Sequence, residues 1–178
     1  MNTGQMMLTI GALGLLSFAI LNLNWSLSEN DVSLAQNRYR LEALSLINSF
    51  IEQATMYYFD EATTDTNSAK QLLDFTHPNL LGKEVNDSSN IDDFDDFNDD
   101  TTIVSGLSSV EYKVWFKVDY VVLSGDSLTT SPNRSYYKRM RVFVTDNYPD
   151  PLLYRNVGGD KERDTLSISF VNSYWFYR

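Results

Sequence analysis

The sequence predicts an α+β fold, in which one long N-terminal helix packs on a small antiparallel β-sheet. Three observations support this fold class. Residues 6–23 carry no charged side chain, residues 32–58 repeat apolar side chains in steps of three and four, and after residue 109 the apolar period changes to two. The 178 residues, 43% of them hydrophobic, are sufficient for one domain with a sizeable core.

Composition excludes several classes of function. The net charge of −10 opposes binding to nucleic acid, so no nucleic-acid partner is predicted. The chain has no cysteine, which excludes disulfides and thiolate chemistry. His77, the single histidine, precedes Pro78 without any metal-ligand or Ser-His-Asp spacing, which favours a structural role. Phosphate-loop and hydrolase motifs are also missing from the sequence, so we do not expect an enzyme.

Residues 5–25 form the first predicted element, a transmembrane helix. An apolar stretch of about 18 residues, at roughly 1.5 Å each, gives a helix near 27 Å, just long enough for the hydrocarbon core of a bilayer. The segment lacks the basic start and the small-residue cleavage site of a secretory signal peptide. We therefore expect it to be retained, as an anchor that holds the remaining chain outside the cytoplasm.

Residues 26–59 form the second predicted element, an amphipathic helix. Its apolar side chains follow one another at helical spacing: Val32, Ala35, Tyr39, Ala43, Leu46, Phe50, Ala54 and Tyr57. Ser26 and Glu29 have the spacing of a capping box, which would start a separate helix. The sequence contains no proline between Ile10 and Glu61, so a continuous helix is equally compatible with it.

Residues 60–178 are predicted to form the β domain. Residues 60–109 read as a long connection with one helical turn near residues 69–75. Alternating apolar side chains predict antiparallel strands over residues 110–122, 136–145 and 165–178, with a hairpin connection over residues 124–135. The apolar face of such a sheet needs a cover, and the amphipathic helix is the long element available for it.

An acidic loop is predicted at residues 86–100, within the long connection. It contains seven aspartates and no basic residue: Asp87, Asp92, Asp93, Asp95, Asp96, Asp99 and Asp100. Unpaired carboxylates are costly to bury, so we expect the loop to be solvated, with Phe94 and Phe97 anchoring it to the domain. No cofactor is predicted. Ca²⁺ is the alternative, because it binds six to eight oxygen ligands, although EF-hand spacing is missing.

The beginning of the chain resembles that of type IV pilins and related pilin-like proteins. The resemblance rests on Gly4 and Gln5 followed by the apolar stretch MMLTIGALGLLSFAIL. It implies a leader of residues 1–4, cut after Gly4 by a leader peptidase so that Gln5 becomes the N-terminus, and the methylation found in that family. It also implies a long helix laid against an antiparallel sheet.

The resemblance implies helix-to-helix assembly through Thr9, Gly11, Leu13 and Gly14. Thr9 stands at the fifth position after Gly4, where the family usually has a glutamate, and offers only a hydroxyl. Gly11 and Gly14 would allow local unwinding during packing, or they are simply the glycines common in transmembrane helices. Leu13 lies mid-helix, where a charge should prevent assembly.

Two functions follow from these expectations. The resemblance implies a structural subunit of a type IV pilus-like extracellular filament or of a related secretion or uptake machine. Its partners would be copies of itself or other pilin-like subunits, the inner membrane and the assembly platform. The alternative is a bitopic envelope protein whose outer β domain binds a ligand or partner. The aromatic residues 174–177 would then form a binding face, or be covered by a loop or neighbour.

Overall fold

The computed structural model describes residues 2–64, 68–83 and 91–175. The chain divides into two compact units, Met1–Tyr39 and Arg40–Arg178. The first unit is helical throughout its described length from Thr3 onward. The second contains the remainder of the helix and all of the strands. The structure confirms the predicted α+β class, in which a long N-terminal helix packs on an antiparallel sheet.

A single helix, α1, spans Thr3–Thr55. The continuous alternative is therefore the one observed, and the helix ends four residues before the predicted limit at residue 59. The Thr55 hydroxyl donates to the carbonyl of Glu52 at 2.7 Å. Tyr58 then forms an isolated parallel β-bridge with Asp93. The helix ends before Phe59 and Asp60, and both of these residues are buried in the core.

The main sheet contains five antiparallel strands in the order β1-β2-β4-β7, with β3 paired to the far end of β2. The strands are β1 Thr101–Ser105, β2 Glu111–Ser124, β3 Ser127–Thr130, β4 Tyr137–Asp146 and β7 Leu166–Ser173. A separate hairpin pairs β5 Tyr154–Val157 with β6 Asp160–Arg163.

The three predicted strands are confirmed as β2, β4 and β7, each with its start shifted by one residue. The predictions for residues 176–178 of the last strand lie outside the described residues. The expected turn near residues 69–75 is a short 3-10 helix at Leu72–Asp74. Sequence reasoning missed β1, β3, β5 and β6. Gly158 and Gly159, at φ of 64° and 101°, form the turn between β5 and β6.

The core lies between one face of the sheet and residues 40–55 of α1. Tyr112, Val114, Phe116, Val118 and Tyr120 of β2 are buried on this face, beside Met140, Val142 and Val144 of β4. From the helix, Ala43, Ile47 and Ala54 are fully buried. Phe50 meets Phe116 edge-on, with ring centroids 5.1 Å apart. The predicted role of the amphipathic helix as the cover of the sheet is confirmed for residues 40–55, whereas residues 26–34 of that predicted element are exposed.

The opposite face of the sheet carries a stacked pair of aromatic rings. Trp115 and Phe143 are register partners on β2 and β4, and their rings are 5.4 Å apart and nearly parallel, at 8°. Both side chains are half-buried. The aromatic residues on this face therefore cover each other in part.

Candidate functional site

The first unit exposes a continuous apolar surface. Every side chain from residue 2 to residue 34 is exposed. The large apolar ones include Met7, Leu8, Leu15, Phe18, Leu21 and Trp25. By length and composition this part of α1 is sufficient to cross a membrane, a property that signal sequences share. Apolar exposure on this scale marks a surface that contacts lipid or other protein.

The polar side chains within the apolar stretch bond to the helix itself. Thr9 donates to the carbonyl of Met6 at 2.9 Å, and Ser17 donates to the carbonyl of Leu13 at 2.9 Å. The Asn22 amide donates to the carbonyl of Phe18 at 3.1 Å. Each of these side chains thus donates one hydrogen bond to its own helix, which lowers the cost of placing this surface in lipid.

The residues predicted for processing and assembly all lie on this helix. Gly4, Gly11 and Gly14 leave open space, with nothing within 4 Å of the position of an added Cβ. Leu13 is exposed, and the hydroxyl of Thr9 stays on its own helix. Gln5 donates its backbone N–H to the carbonyl of Asn2 at 2.9 Å, in the first turn. The structure places these residues together, and their roles stay predictions.

A buried ion cluster lies in the core of the β domain. It corrects the prediction that the acidic loop is solvated. Lys138 of β4 points into the core, where its side chain is fully buried. Its Nζ donates to Asp60 Oδ2 at 2.7 Å, to the carbonyl of Phe59 at 2.8 Å, and to Asp95 Oδ1. Asp93, Asp95 and Asp96 are all buried. The expectation that these carboxylates meet solvent is wrong, because Lys138 reaches Asp95 while Asp93 and Asp96 accept from backbone N–H groups of the loop itself.

Donors from three segments hold the Asp60 carboxylate in place. Its oxygens accept from the backbone N–H of Ala62 at 3.2 Å and of Thr76 at 3.0 and 3.1 Å. The hydroxyls of Thr76 and Tyr120 each donate to it at 3.1 Å. Burial, and then the nearby Asp60 carboxylate, raises the pKa of the Tyr120 hydroxyl. Tyr120 therefore stays a hydrogen-bond donor at neutral pH.

The carboxylates of Asp93 and Asp96 mainly close the loop on itself. Asp93 Oδ1 accepts from the backbone N–H of Asp95 at 2.9 Å and of Asp96 at 3.1 Å. Asp96 Oδ2 accepts from the N–H of Asp92 at 3.0 Å. Burial, followed by the charge of Asp95, raises the pKa of Asp93 to about 9. Asp93 is therefore a neutral acid at pH 7.

The acidic loop divides into a buried and an exposed part. Asp99 pairs with Lys117 at 3.1 Å and Asp100 pairs with Lys83 at 3.1 Å, both at the surface. Asp92 is half-buried, and Asp87 lies outside the described residues. Phe94 and Phe97 are buried, which confirms that they anchor the loop. Within residues 2–64, 68–83 and 91–175 no three acidic or histidine side chains are arranged to hold a metal ion, so the Ca²⁺ alternative gains no support.

A second buried carboxylate joins residues 40–55 of the helix to the sheet. Glu42 Oε1 accepts from the backbone N–H of Ser108 at 2.6 Å, and Oε2 accepts from the hydroxyl of Tyr112 at 3.0 Å. Gly106 leaves the room for this contact, since an added Cβ would lie 2.6 Å from Glu42 Oε1. Sequence reasoning missed Glu42, because a glutamate on a helix is usually solvated.

The remaining candidates have structural contacts. His77 Nδ1 accepts from the backbone N–H of Asn79 at 3.3 Å, and so caps a short 3-10 helix. Tyr174 packs against Phe59 and Phe75, with ring centroids 5.7 and 5.2 Å away, and stacks on Tyr136. This ring of the proposed aromatic binding face thus packs within the domain, while Phe176 and Tyr177 lie outside the described residues.

Lys138 and Asp60 are the members of the ion cluster that sequence reasoning missed. A signal for Lys138 existed, because it shares the inward alternation of Met140, Val142 and Val144 along β4. No comparable signal marked Asp60, which directly follows the predicted end of the helix at residue 59. Comparison with protein-family models, curated protein sequences and solved structures gives no match to this chain. The geometry alone therefore bears on its function.

Proposed function

We propose that this chain is a subunit of a type IV pilus-like filament, or of a related secretion or uptake machine, and assembles through its N-terminal apolar helix. The observation that carries the proposal is that one uninterrupted helix supplies two different surfaces. Residues 3–34 expose apolar side chains all round, whereas residues 40–55 bury one face on the sheet of the second unit. A subunit that is first anchored in a membrane and then packed among its neighbours needs this division.

The hydrogen bonds of the polar side chains in the apolar stretch support assembly in an apolar environment. The Thr9 and Ser17 hydroxyls and one N–H of the Asn22 amide donate to carbonyls of their own helix, so these donors need no water and no second chain. Gly11 and Gly14 leave the backbone open to close approach by another helix. Contacts between copies would therefore rest on shape and apolar packing around Leu13.

The same proposal gives the β domain its location and partners. Anchoring through residues 5–25 would place the domain outside the cytoplasm, and on the filament surface after assembly. The partners would be copies of itself or other pilin-like subunits, the inner membrane, an assembly platform and a leader peptidase that cuts after Gly4. The acidic composition of the chain, with 24 Asp and Glu against 14 Lys and Arg, would give the filament a negative surface.

Thr9 favours a second candidate function. A bitopic envelope protein, anchored by the same helix but not polymerised, has no need for a carboxylate in the membrane. Thr9 has no charge to offer a neighbour, and its hydroxyl is already bonded to Met6. In this case the β domain would bind its ligand or partner as a membrane-bound monomer.

Mass spectrometry of the N-terminus, on sheared surface filaments and on membranes from the same cells, tests the proposal. We expect the filament fraction to contain the chain with Gln5 as its first residue. A chain cut after Ser26, or an intact chain found only as a monomer in membranes, would contradict the proposal. The second of these outcomes would favour the bitopic protein.

A further inference from the structure

We infer that Lys138 and Asp95 form an intramolecular amide bond, with Asp60 as the acid-base group that moves the protons. This modification joins β4 covalently to the acidic loop and is independent of the proposed function. The three side chains meet in the core of the second unit, and all of them are buried.

Lys138 Nζ is positioned for attack. Its contacts with Asp95 Oδ1, with Asp60 Oδ2 at 2.7 Å and with the carbonyl of Phe59 at 2.8 Å fix the nitrogen between the two carboxylates. The rings of Phe59 and Tyr120, with centroids 4.7 and 5.4 Å from Nζ, enclose it further. An amine and a carboxyl held in this way react at a high effective concentration.

The hydrogen bonds distinguish the carboxyl that reacts from the one that assists. Asp60 is held by N–H and O–H donors from Ala62, Thr76 and Tyr120. Asp95 Oδ1 contacts Lys138, whereas its Oδ2 is buried with no hydrogen-bond partner in the described part of the chain. Loss of an Asp95 oxygen therefore disturbs fewer hydrogen bonds than loss of an Asp60 oxygen, which would remove part of an extended network.

Burial favours the neutral form of the Asp95 carboxyl, which is the form that accepts a nucleophile. Desolvation raises the pKa of Asp95, and the neighbouring Asp60 carboxylate raises it further, against the opposing effect of Lys138. A neutral carboxylic acid accepts a nucleophile more readily than a carboxylate does. In an apolar site the ammonium and carboxylate pair is also poorly solvated, which favours conversion to an uncharged amide.

The bond changes balance without an external reagent. Lys138 Nζ gives one proton to Asp95, and the free amine attacks Asp95 Cγ, so that the carbonyl electron pair moves to oxygen. Asp60 accepts a second proton from the nitrogen. The carbonyl then re-forms, the C–OH bond breaks, and the leaving hydroxyl takes the proton from Asp60. The products are an amide and one water molecule, with Asp60 again a carboxylate.

Tryptic peptide mapping of the full chain, purified from membranes in detergent, tests the inference. The result does not depend on whether the chain is cleaved after Gly4. Trypsin does not cleave after an acylated lysine. We expect a branched peptide that joins residues 84–113, which contain Asp95, to residues 135–139, which contain Lys138, lighter than the sum of the two by one water. Fragmentation should place the branch at Asp95.

Cleavage after Lys138 would overturn the inference, because it would show that the lysine is not acylated. The map would then contain the linear peptides 84–113 and 135–138. A branch to residues 41–70 would overturn it as well, since Asp60 would then be the acceptor. The wild-type map decides the question even if variants fold poorly. In addition, Lys138→Arg should abolish the branched peptide. Asp60→Asn should leave most of the chain linear, whereas Asp99→Asn, in the exposed part of the same loop, should leave branching complete.

Discussion

Residues 3–34 and residues 40–55 of α1 differ in the burial of their apolar side chains. In residues 3–34 nothing is buried, and Leu13 and Phe18 are 62% and 66% exposed. In residues 40–55, Ala43 and Ile47 are completely buried on the sheet. A continuous helix therefore contains one stretch that is buried on the domain and another whose apolar side chains are exposed, as is typical of surfaces that contact lipid or other protein. The comparison separates stability of the domain from anchoring and assembly.

The largest expected effect lies on the domain side of this comparison. Lys138→Ala should lower the free energy of unfolding of the β domain by about 3–5 kcal/mol, because it leaves the buried Asp60 and Asp95 without the Lys138 nitrogen that they contact. Denaturant unfolding of the full chain in detergent measures it, and membrane insertion should be unchanged.

Lys117→Ala is the matched control. Lys117 pairs with Asp99 on the surface, where an ion pair contributes about 0–1 kcal/mol. Equal losses from the two lysines would show that the buried cluster is not the stabilising element.

The second effect lies on the anchoring side. Leu13→Lys places a charge in the middle of the apolar stretch and should oppose membrane insertion by about 2.5–3.5 kcal/mol. Carbonate-resistant membrane association and surface filaments should both fall. Leu41→Lys makes the same substitution on the same helix at an exposed position of the second unit, and should alter neither. Wild-type filament levels in the Leu13 variant would contradict the assignment.

Local patterns predicted the helix and the three long strands, because the spacing of apolar side chains in each of these elements can be recognised from consecutive residues. Val110 to Val122 alternates over a whole strand, whereas β1, β3, β5 and β6 contain only four or five residues each, too few to show a period. The ion cluster was missed for a different reason. Asp60, Asp95 and Lys138 are up to 78 residues apart in sequence, and only the tertiary fold brings them together.

The third effect concerns the contact between helix and sheet at Glu42. Gly106→Ala should destabilise the domain by about 1–3 kcal/mol, the usual cost of overpacking a filled site. The new methyl group would lie 2.6 Å from Glu42 Oε1 and 2.8 Å from Tyr112 Cε2. Thermal unfolding should detect the change. Gly14→Ala, which meets nothing within 4 Å, should leave unfolding of the domain unaltered.

The smallest effect is a dependence on pH. Because the pKa of Asp93 is raised from 3.8 to about 9, the folded state holds a proton that the unfolded state has lost between these values. The stabilisation is complete below pH 3.8 and is lost as the pH rises through about 9. Stability should thus fall with rising pH, by at most about 1.4 kcal/mol per pH unit. Unfolding midpoints at pH 6 and 7 should show a smaller difference in Asp93→Asn.

Cross-linking between copies tests most directly whether residues 3–34 pack against other chains. The chain has no cysteine, so single-cysteine variants at residues 15, 16, 17 and 18 cover each face of the helix in turn. Under mild oxidation of filaments and membranes, we expect covalent dimers at one or more of these positions. Leu107→Cys, on the domain and 97% exposed, serves as the control for random collision. Monomers at all four helix positions would contradict assembly through the apolar helix.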